Sequence, residues 1–310
     1  MPLLIKRAVL LAKIESTYNS DPSPAAADAV LVESLSISHT GQRMDEQMVL
    51  KNTLAPDQQV FGGTLKQLQF SVPLKHSGTV DTAPEWGPIL RACGCGETIN
   101  AATSVVYTPA TDSHDSVTIY YYEDGVLHSL TGCRGNVVFN INSGQRALMT
   151  FTMTGHDAGI TDTSVVSSPT FDSTVAVAVK GASFSIGGYS AIISSMTMDT
   201  GNTIETPDDL NGSDGYGEIE VGDRDVNGTI DPEMVLVATN DFLSDWKNGT
   251  SMALATGTIG GTSGNQWALS LPAVSYRDMG FDSRGNIRTA AMNYGASESS
   301  GDDEFSLTLT

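Results

Sequence analysis

Cysteine is scarce in this chain, and the little there is cannot form a paired framework. Cys93, Cys95 and Cys133 are an odd count, and Cys93-Gly94-Cys95 lacks the two-residue spacer of a zinc knuckle or a thioredoxin-like site. Reduced thiols in a protein assembled in a cytoplasm are expected. Basic residues are scarce too: 16 Lys and Arg stand against 36 Asp and Glu, a formal net charge of −20 over 310 residues. That balance argues against wrapping duplex DNA by phosphate neutralisation, which needs cationic patches. It suits a secreted or halophilic protein kept soluble by charge, or a surface that must not hold nucleic acid. Long apolar runs are absent as well. No segment approaches the roughly 20 apolar residues of a membrane helix, so no membrane partner is expected. Lys6, Arg7 and Lys13 interrupt the opening MPLLIKRAVLLAKI, so no signal peptide is expected.

Motifs of catalysis are missing in the same way. There is no GxSxG elbow, no Walker glycine loop and no HExxH. His39, His76, His114, His128 and His156 are scattered over loops and strand ends and read as surface histidines. Neither enzyme activity nor a cofactor is expected. One stretch has metal-ligand spacing: Asp209, Asn211, Ser213 and Glu220 occupy the first, third, fifth and twelfth places of a calcium loop. Asp214 stands where that loop needs glycine and no helix flanks it, so an acidic inter-strand loop is the preferred reading.

What is present is a strand followed by an amphipathic helix. In Thr64–Leu74 the residues Leu65, Leu68, Phe70, Val72 and Leu74 largely alternate with polar ones, the period of a half-buried strand. Thr82-Ala83-Pro84-Glu85 reads as a helix start, although Gly87-Pro88 defers the regular part to Pro88. Trp86, Ile89, Leu90 and Cys93 share one face, Gly94 stops the helix, and Trp86 should be buried against a sheet. Residues 1–28 read as an arm, and Ala29–Ser38 as a strand with Leu31, Leu35 and Ile37 inward. A long polar connection follows to Gly62. Strands are expected at 104–109, 115–123, 126–130, 135–141 and 147–155, with a hairpin at Glu123-Asp124-Gly125.

The second half repeats this order. A strand system is expected from Thr174 to Ile186, Asn227-Gly228-Thr229 echoes Gly62-Gly63-Thr64, and a strand is read at Met234–Ala238. A helix over Thr239–Asn248 sets Phe242, Leu243 and Trp246 on one face, and DDEFSLTLT parallels RALMTFTMT as a closing strand. The expected fold is therefore mainly β, with tandem sandwich or barrel domains over 1–165 and 166–310, each flanked by one helix. A single domain with decorated loops, or an unrelated C-terminal sandwich, is the alternative. Charge is uneven: 10 basic and 16 acidic residues precede position 170, and 6 and 20 follow it.

The wording TAPEWGPILRACG after a GGT-led strand resembles the major tail tube protein family of long-tailed (siphophage-like) bacteriophages. Ile14–Ile37 is similar to that family's opening segment, and Thr131–Gly155 to its closing hairpin. The resemblance spans most of residues 3–155 and recurs more loosely beyond. It implies β-sandwich or barrel subunits flanked by a helix, assembled into stacked rings whose bore passes double-stranded DNA without tight binding. It also implies a virion tail location, with tape measure, tail terminator and distal tail proteins as partners. Two domains per chain would build a pseudo-six-fold ring from three copies, with a hexamer as the alternative, and carboxylates would line the bore. Lys6, Arg7 and Lys13 in the arm, and Arg43, Met44 and Met48 in the loop Thr40–Gly62, are candidate inter-subunit contacts. The loop Thr200–Gly228 is that loop's counterpart. Removing residues 1–13 is expected to leave folded subunits that polymerise poorly. Competing readings are a monomeric carbohydrate- or calcium-binding β-sandwich and a ring-forming tail terminator.

Overall fold

The computed structural model describes residues 3–310. Its first half runs β1 (Ala8–Ile14), β2 (Ala29–Val30), β3 (Glu33–Glu46), β4 (Gln59–Pro73), α1 (Gly87–Arg91), β5 (Cys95–Asn100), β6 (Ser104–Pro109), β7 (Val117–Glu123), β8 (Val126–Asn142) and β9 (Leu148–Asp162). The second runs β10 (Ser185–Ile186), β11 (Ser195–Asp199), β12 (Asn202–Glu205), β13 (Glu220–Arg224), β14 (Asn227–Ile230), α2 (Phe242–Asn248), β15 (Met252–Ala255), β16 (Trp267–Arg284), β17 (Ile287–Ala296) and β18 (Ser306–Leu309). The fold is mainly β and its ladders are antiparallel. All the described strands belong to one sheet except β12 and β13, which form a separate ribbon.

Hydrogen bonding in the first half links β3-β4-β9-β8-β7-β1 side by side. In the second half it links β11-β14-β17-β16-β15-β10. Read in chain order, the two series use corresponding strands, with α1 after β4 and α2 after β14. The halves meet where β8 pairs with β11, Asn142 opposite Ser195 and Val138 opposite Asp199. Strand β18 ties β16 to β6.

Period-two patterning places the core. Leu68, Phe70, Val72, Phe151, Met153, Val137 and Phe139 are buried on one face, and the second half adds Met196, Met198, Ile230, Met292 and Tyr294. Over this face lies α1. Trp86 is fully buried, its indole N–H donates to the Lys75 carbonyl at 3.0 Å, and its ring lies 5.4 Å from that of Tyr107. Ile89 and Leu90 are buried beside it. The helix is shorter than the Thr82 cap implied, because Pro88 belongs in a first turn, and Gly94 ends it at φ +74. In α2 the Asp241 carboxylate accepts from the Ser244 N–H at 3.0 Å, Gly249 terminates at φ +60, and Phe242 is buried. Trp246 is half-buried and Leu243 exposed, so the expected three-residue face is only partly used.

Several expectations are corrected. Of the segment 1–28, residues 1–2 lie outside the described residues and the rest is not an arm: Ala8–Ile14 is a strand held between β2 and β7, with Leu10 and Leu11 fully buried. Glu15 then anchors the chain, its buried carboxylate accepting from Ser116 Oγ, Thr118 Oγ1, Gly132 N and Asn19 N at 2.6 to 2.8 Å. The strand expected over Ala29–Ser38 breaks between β2 and β3, at Leu31 and Val32, where Leu31 is exposed, and Ser34 (φ +44) lies in an irregular step of β3. Nearly half of Thr40–Gly62 is strand rather than loop, since β3 and β4 stay paired out to Glu46 and Gln59. Residues 174–184 alternate but lack strand partners; they cross the β8–β9 turn, where Val179 exchanges backbone bonds with Gly144 and Gln145. Met234–Ala238 is irregular and runs into a turn at 237–239, with Leu236 and Val237 exposed.

Lys66 falls on the core side of β4, where its ammonium lies 2.5 Å from Asp157 and 3.1 Å from the Gly159 carbonyl. His128 stacks on Tyr121 at 5.7 Å. Burial lowers its pKa, and the Lys66 charge adds to the effect. Burial also lowers that of His76.

Two outcomes follow. Because Leu10 is core, removing residues 1–13 abolishes folding rather than assembly alone, and Leu10→Ala costs about 2–5 kcal/mol in urea denaturation; a truncated chain with the parent's melting temperature would overturn this. The two histidines bind protons less readily folded than unfolded. The stability this confers is therefore complete above about pH 6.5 and declines as pH falls below that value. His128→Gln should shrink the fall in melting temperature between pH 7.5 and pH 5, and a fall unchanged in the variant would contradict it.

Candidate functional site

The face of the sheet opposite the core is a polar wall. Eight strands contribute in the order β3-β4-β9-β8-β11-β14-β17-β16. Directly opposed residues share a face, so the ladder can be read across. One row is Ser36–Gln69–Thr152–Asn136, and another Asn140–Thr197–Thr229–Asn293. Neighbours bond laterally, Thr197 to Thr229 at 2.8 Å and Ser71 to Thr150 at 3.2 Å. Carboxylates are few here: Asp199 accepts from Asn136 Nδ2 at 2.7 Å, while Asp278 and Asp282 lie toward the β16 side. The acidic residues concentrate instead in the loops and the β12–β13 ribbon. The carboxylate wall expected from composition is thus replaced by hydroxyls and amides.

Both sides of this wall are open. Among the described residues, strand β3 pairs only with β4, and β16 beyond Val274 pairs only with β17. Such edges present unpaired N–H and C=O groups. From one end the β3–β4 hairpin projects an apolar tip, with Met48, Leu50 and Leu54 almost wholly exposed and Met44, Val60 and Phe61 about half exposed. A contiguous apolar protrusion of this kind marks a contact surface.

The root of that hairpin is braced by the 202–219 segment. Leu65 packs with Tyr216 and Ile219. The Tyr216 hydroxyl donates to the Gly41 carbonyl, and the Arg43 guanidinium lies 3.8 Å over the Tyr216 ring while pairing with Asp208. Gly63 is required at φ +129, where a Cβ would meet the Asp214 carbonyl at 2.0 Å. Behind the brace, Tyr18 accepts from the Ile219 N–H at 2.7 Å and lies 3.0 Å from His156 Nε2, while His156 Nδ1 is 2.8 Å from Asp214. Burial raises the Tyr18 pKa, so the phenol keeps its proton.

The expected site residues are thus scattered. Met44 and Met48 lie on the exposed tip, but Arg43 is spent inside the chain. Arg7 pairs with Asp124 at 2.9 Å, Lys13 lies 3.8 Å from Asp28, and Lys6 is exposed. Of the calcium-loop set, Asp209 accepts from the Asn211 backbone at 2.8 Å and Glu220 faces Arg134 at 3.9 Å. Among the described residues no three His, Cys, Asp or Glu side chains converge as metal ligands. All three cysteines are buried. A cleft of about 460 Å³ beside β11 has no His, Cys, Asp or Glu in its walls. No described helix is long and apolar enough to cross a membrane. Sequence reading missed Tyr216 and Tyr18, whose only signal is an aromatic within a polar run.

Surfaces rather than a pocket carry the chemistry, which defines a β-structured building block. The family model of the phage tail tube protein matches residues 5–291, and the chain belongs to that family as a structural component of the virion tail. Comparison with curated proteins returns no match.

The brace generates a test. Tyr216→Phe should cost about 1 kcal/mol for its hydrogen bond, and Tyr216→Ala about 3 kcal/mol while speeding proteolysis between residues 44 and 61. Equal cleavage rates in parent and Ala variant would refute the bracing role.

Proposed function

We propose that the chain assembles through its open sheet edges into closed rings, stacked into the tail tube through which DNA is ejected. The observation that carries this is the eight-strand wall: neutral and polar on one face, packed on the core by the other, and unfinished at both sides. Closing a sheet on itself removes exposed edges. A bore of hydroxyls and amides offers few cations to grip phosphate, so DNA slides without release of counterions.

Residues 1–165 and 166–310 act as two versions of one unit, a reading supported by their matching strand orders. Three chains then give a ring of pseudo-six-fold symmetry; six chains are the alternative count. The apolar hairpin tip seats on the adjacent ring, tape measure protein occupies the bore before ejection, and terminator and distal tail proteins cap the ends. Assembly in the host cytoplasm suits three unpaired thiols.

Negative-stain microscopy of the purified protein should show stacked rings or tubes; featureless monomers at every concentration would sink the reading. Leu50→Asp with Leu54→Asp alters fully exposed side chains, so stability should move by no more than about 0.5 kcal/mol. Long tubes should give way to short stacks or single rings. Tubes of parental length would remove the tip from the axial contact.

A further inference from the structure

A second buried ammonium sits in a setting unlike that of Lys66. Lys75 lies just past the end of β4, and its side chain is almost wholly buried. Its Nζ is 3.3 Å from Glu85 Oε1, 3.7 Å from Asp172 Oδ2 and 2.8 Å from the Asp172 carbonyl oxygen. The two carboxylates, both largely buried, come from separate parts of the fold. Glu85 belongs to the turn before α1, and Asp172 to the connection between β9 and β10.

Backbone groups hold the three side chains in place. Glu85 Oε1 accepts from the Leu31 N–H at 3.2 Å, and its Oε2 from the Asp172 N–H at 2.9 Å. The Trp86 indole N–H fixes the Lys75 carbonyl at 3.0 Å. Asp172 Oδ1 accepts from the Thr174 N–H at 2.8 Å, whereas its buried Oδ2 has no hydrogen-bond partner among the described residues. The oxygen left without a partner is the one beside the amine. An ordinary buried ion pair closes that gap, as Lys66 does with Nζ 2.5 Å from Asp157. Among the described residues Lys66 has no second carboxylate within ion-pair distance, and the Asp157 side chain is a quarter exposed.

We infer that Lys75 and Asp172 become joined by an isopeptide bond between Nζ and Cγ, formed by the folded chain itself with Glu85 carrying the proton. The reaction starts when a proton passes from the Lys75 ammonium to the Asp172 carboxylate, leaving an amine and a carboxylic acid. The Nζ lone pair attacks Cγ, and the C–N bond forms as the C=O electrons move onto oxygen. Glu85 takes one proton from the nitrogen and delivers it to the hydroxyl. The C–O bond then breaks, water leaves and the carbonyl is restored. In sum, ammonium and carboxylate give amide and water, with no other reactant consumed. Burial favours this direction, because the product removes two charges that are costly to keep out of water. Contact between the groups supplies the orientation that a bimolecular condensation lacks. The bond would close residues 75–172 into a covalent loop, a constraint that stabilises chiefly by limiting the unfolded chain. It needs only the folded monomer and is independent of assembly.

Mass spectrometry of the purified protein tests this. The intact chain should be lighter than its sequence by one water. After trypsin, the fragments 67–91 and 147–180 should travel as one branched species, uncut after Lys75. The branched species decides, since Asp124-Gly125 or Asp214-Gly215 could lose a water by closing to a succinimide. Asp172→Ala should return the full mass. So should Lys75→Arg, which keeps the charge but not the nucleophilic amine. Glu85→Gln keeps the shape and should leave most chains unjoined, because losing a proton carrier slows such a step by about a hundredfold. A parent chain that trypsin still cuts after Lys75, following long incubation at neutral pH, would overturn the bond. A missing water that persists in Asp172→Ala, with no joined fragments in the parent, would do the same. Joining in Glu85→Gln as complete and as fast as in the parent would remove Glu85 from the reaction.

Discussion

The structure depends on one requirement, that every backbone donor and acceptor along a sheet find a partner. Inside the chain the requirement is met where β8 receives β11, so that the first half supplies the missing neighbour of the second. Among the described residues no such neighbour exists for β3 or for the outer length of β16. A sheet that is complete in its middle and unfinished at both sides is soluble only as long as those sides are occupied or guarded. Serines along β3, and Asp282 and Arg284 on β16, keep the edges wet without closing them.

Around that sheet, charge is arranged by location rather than by total. The chain carries a formal −20, yet the wall facing away from the core is built mainly of Ser, Thr, Asn and Gln, and most carboxylates sit elsewhere, many of them already matched. Asp302 and Glu304 hold Arg224, Asp157 holds the buried ammonium of Lys66, and Glu85 that of Lys75 at 3.3 Å. Buried ions of this kind are worth less for stability than for fixing one arrangement over others. Lys75 also bonds the Asp172 carbonyl at 2.8 Å, fastening the inter-half connection to the strand before Trp86.

Much of this was legible in the sequence where burial is one-sided. Strands β4, β8 and β9 alternate because one face meets the core and the other does not, and the tryptophan helix declared itself by spacing. Strand β1 did not, because Leu10 enters the main core and Leu11 a second cluster behind it, so both faces are apolar and the period of two vanishes. Residues 174–184 failed in the opposite sense: they alternate, but no strand lies beside them. The hairpin of β16 and β17 was hidden by Pro272, which the fold tolerates because it falls at the bulge between Met252 and Leu254. At the site, composition gave the wrong wall. The residues facing outward become visible only after strand phases are aligned, and Arg43 looked free because its partners Tyr216 and Asp208 are remote in sequence.

On the proposed reading of the halves as two versions of one unit, the excursions between paired strands are where they differ. The one joining β3 to β4 stands out into solvent, while the one joining β11 to β14 folds down and clamps its root. Around a ring built from such chains, a peg would occur once per polypeptide, with a folded-down position between each peg and the next. Successive rings would then key together in steps of a whole chain, so that the torsional stiffness of the tube would be set by half as many joints as there are sandwich units.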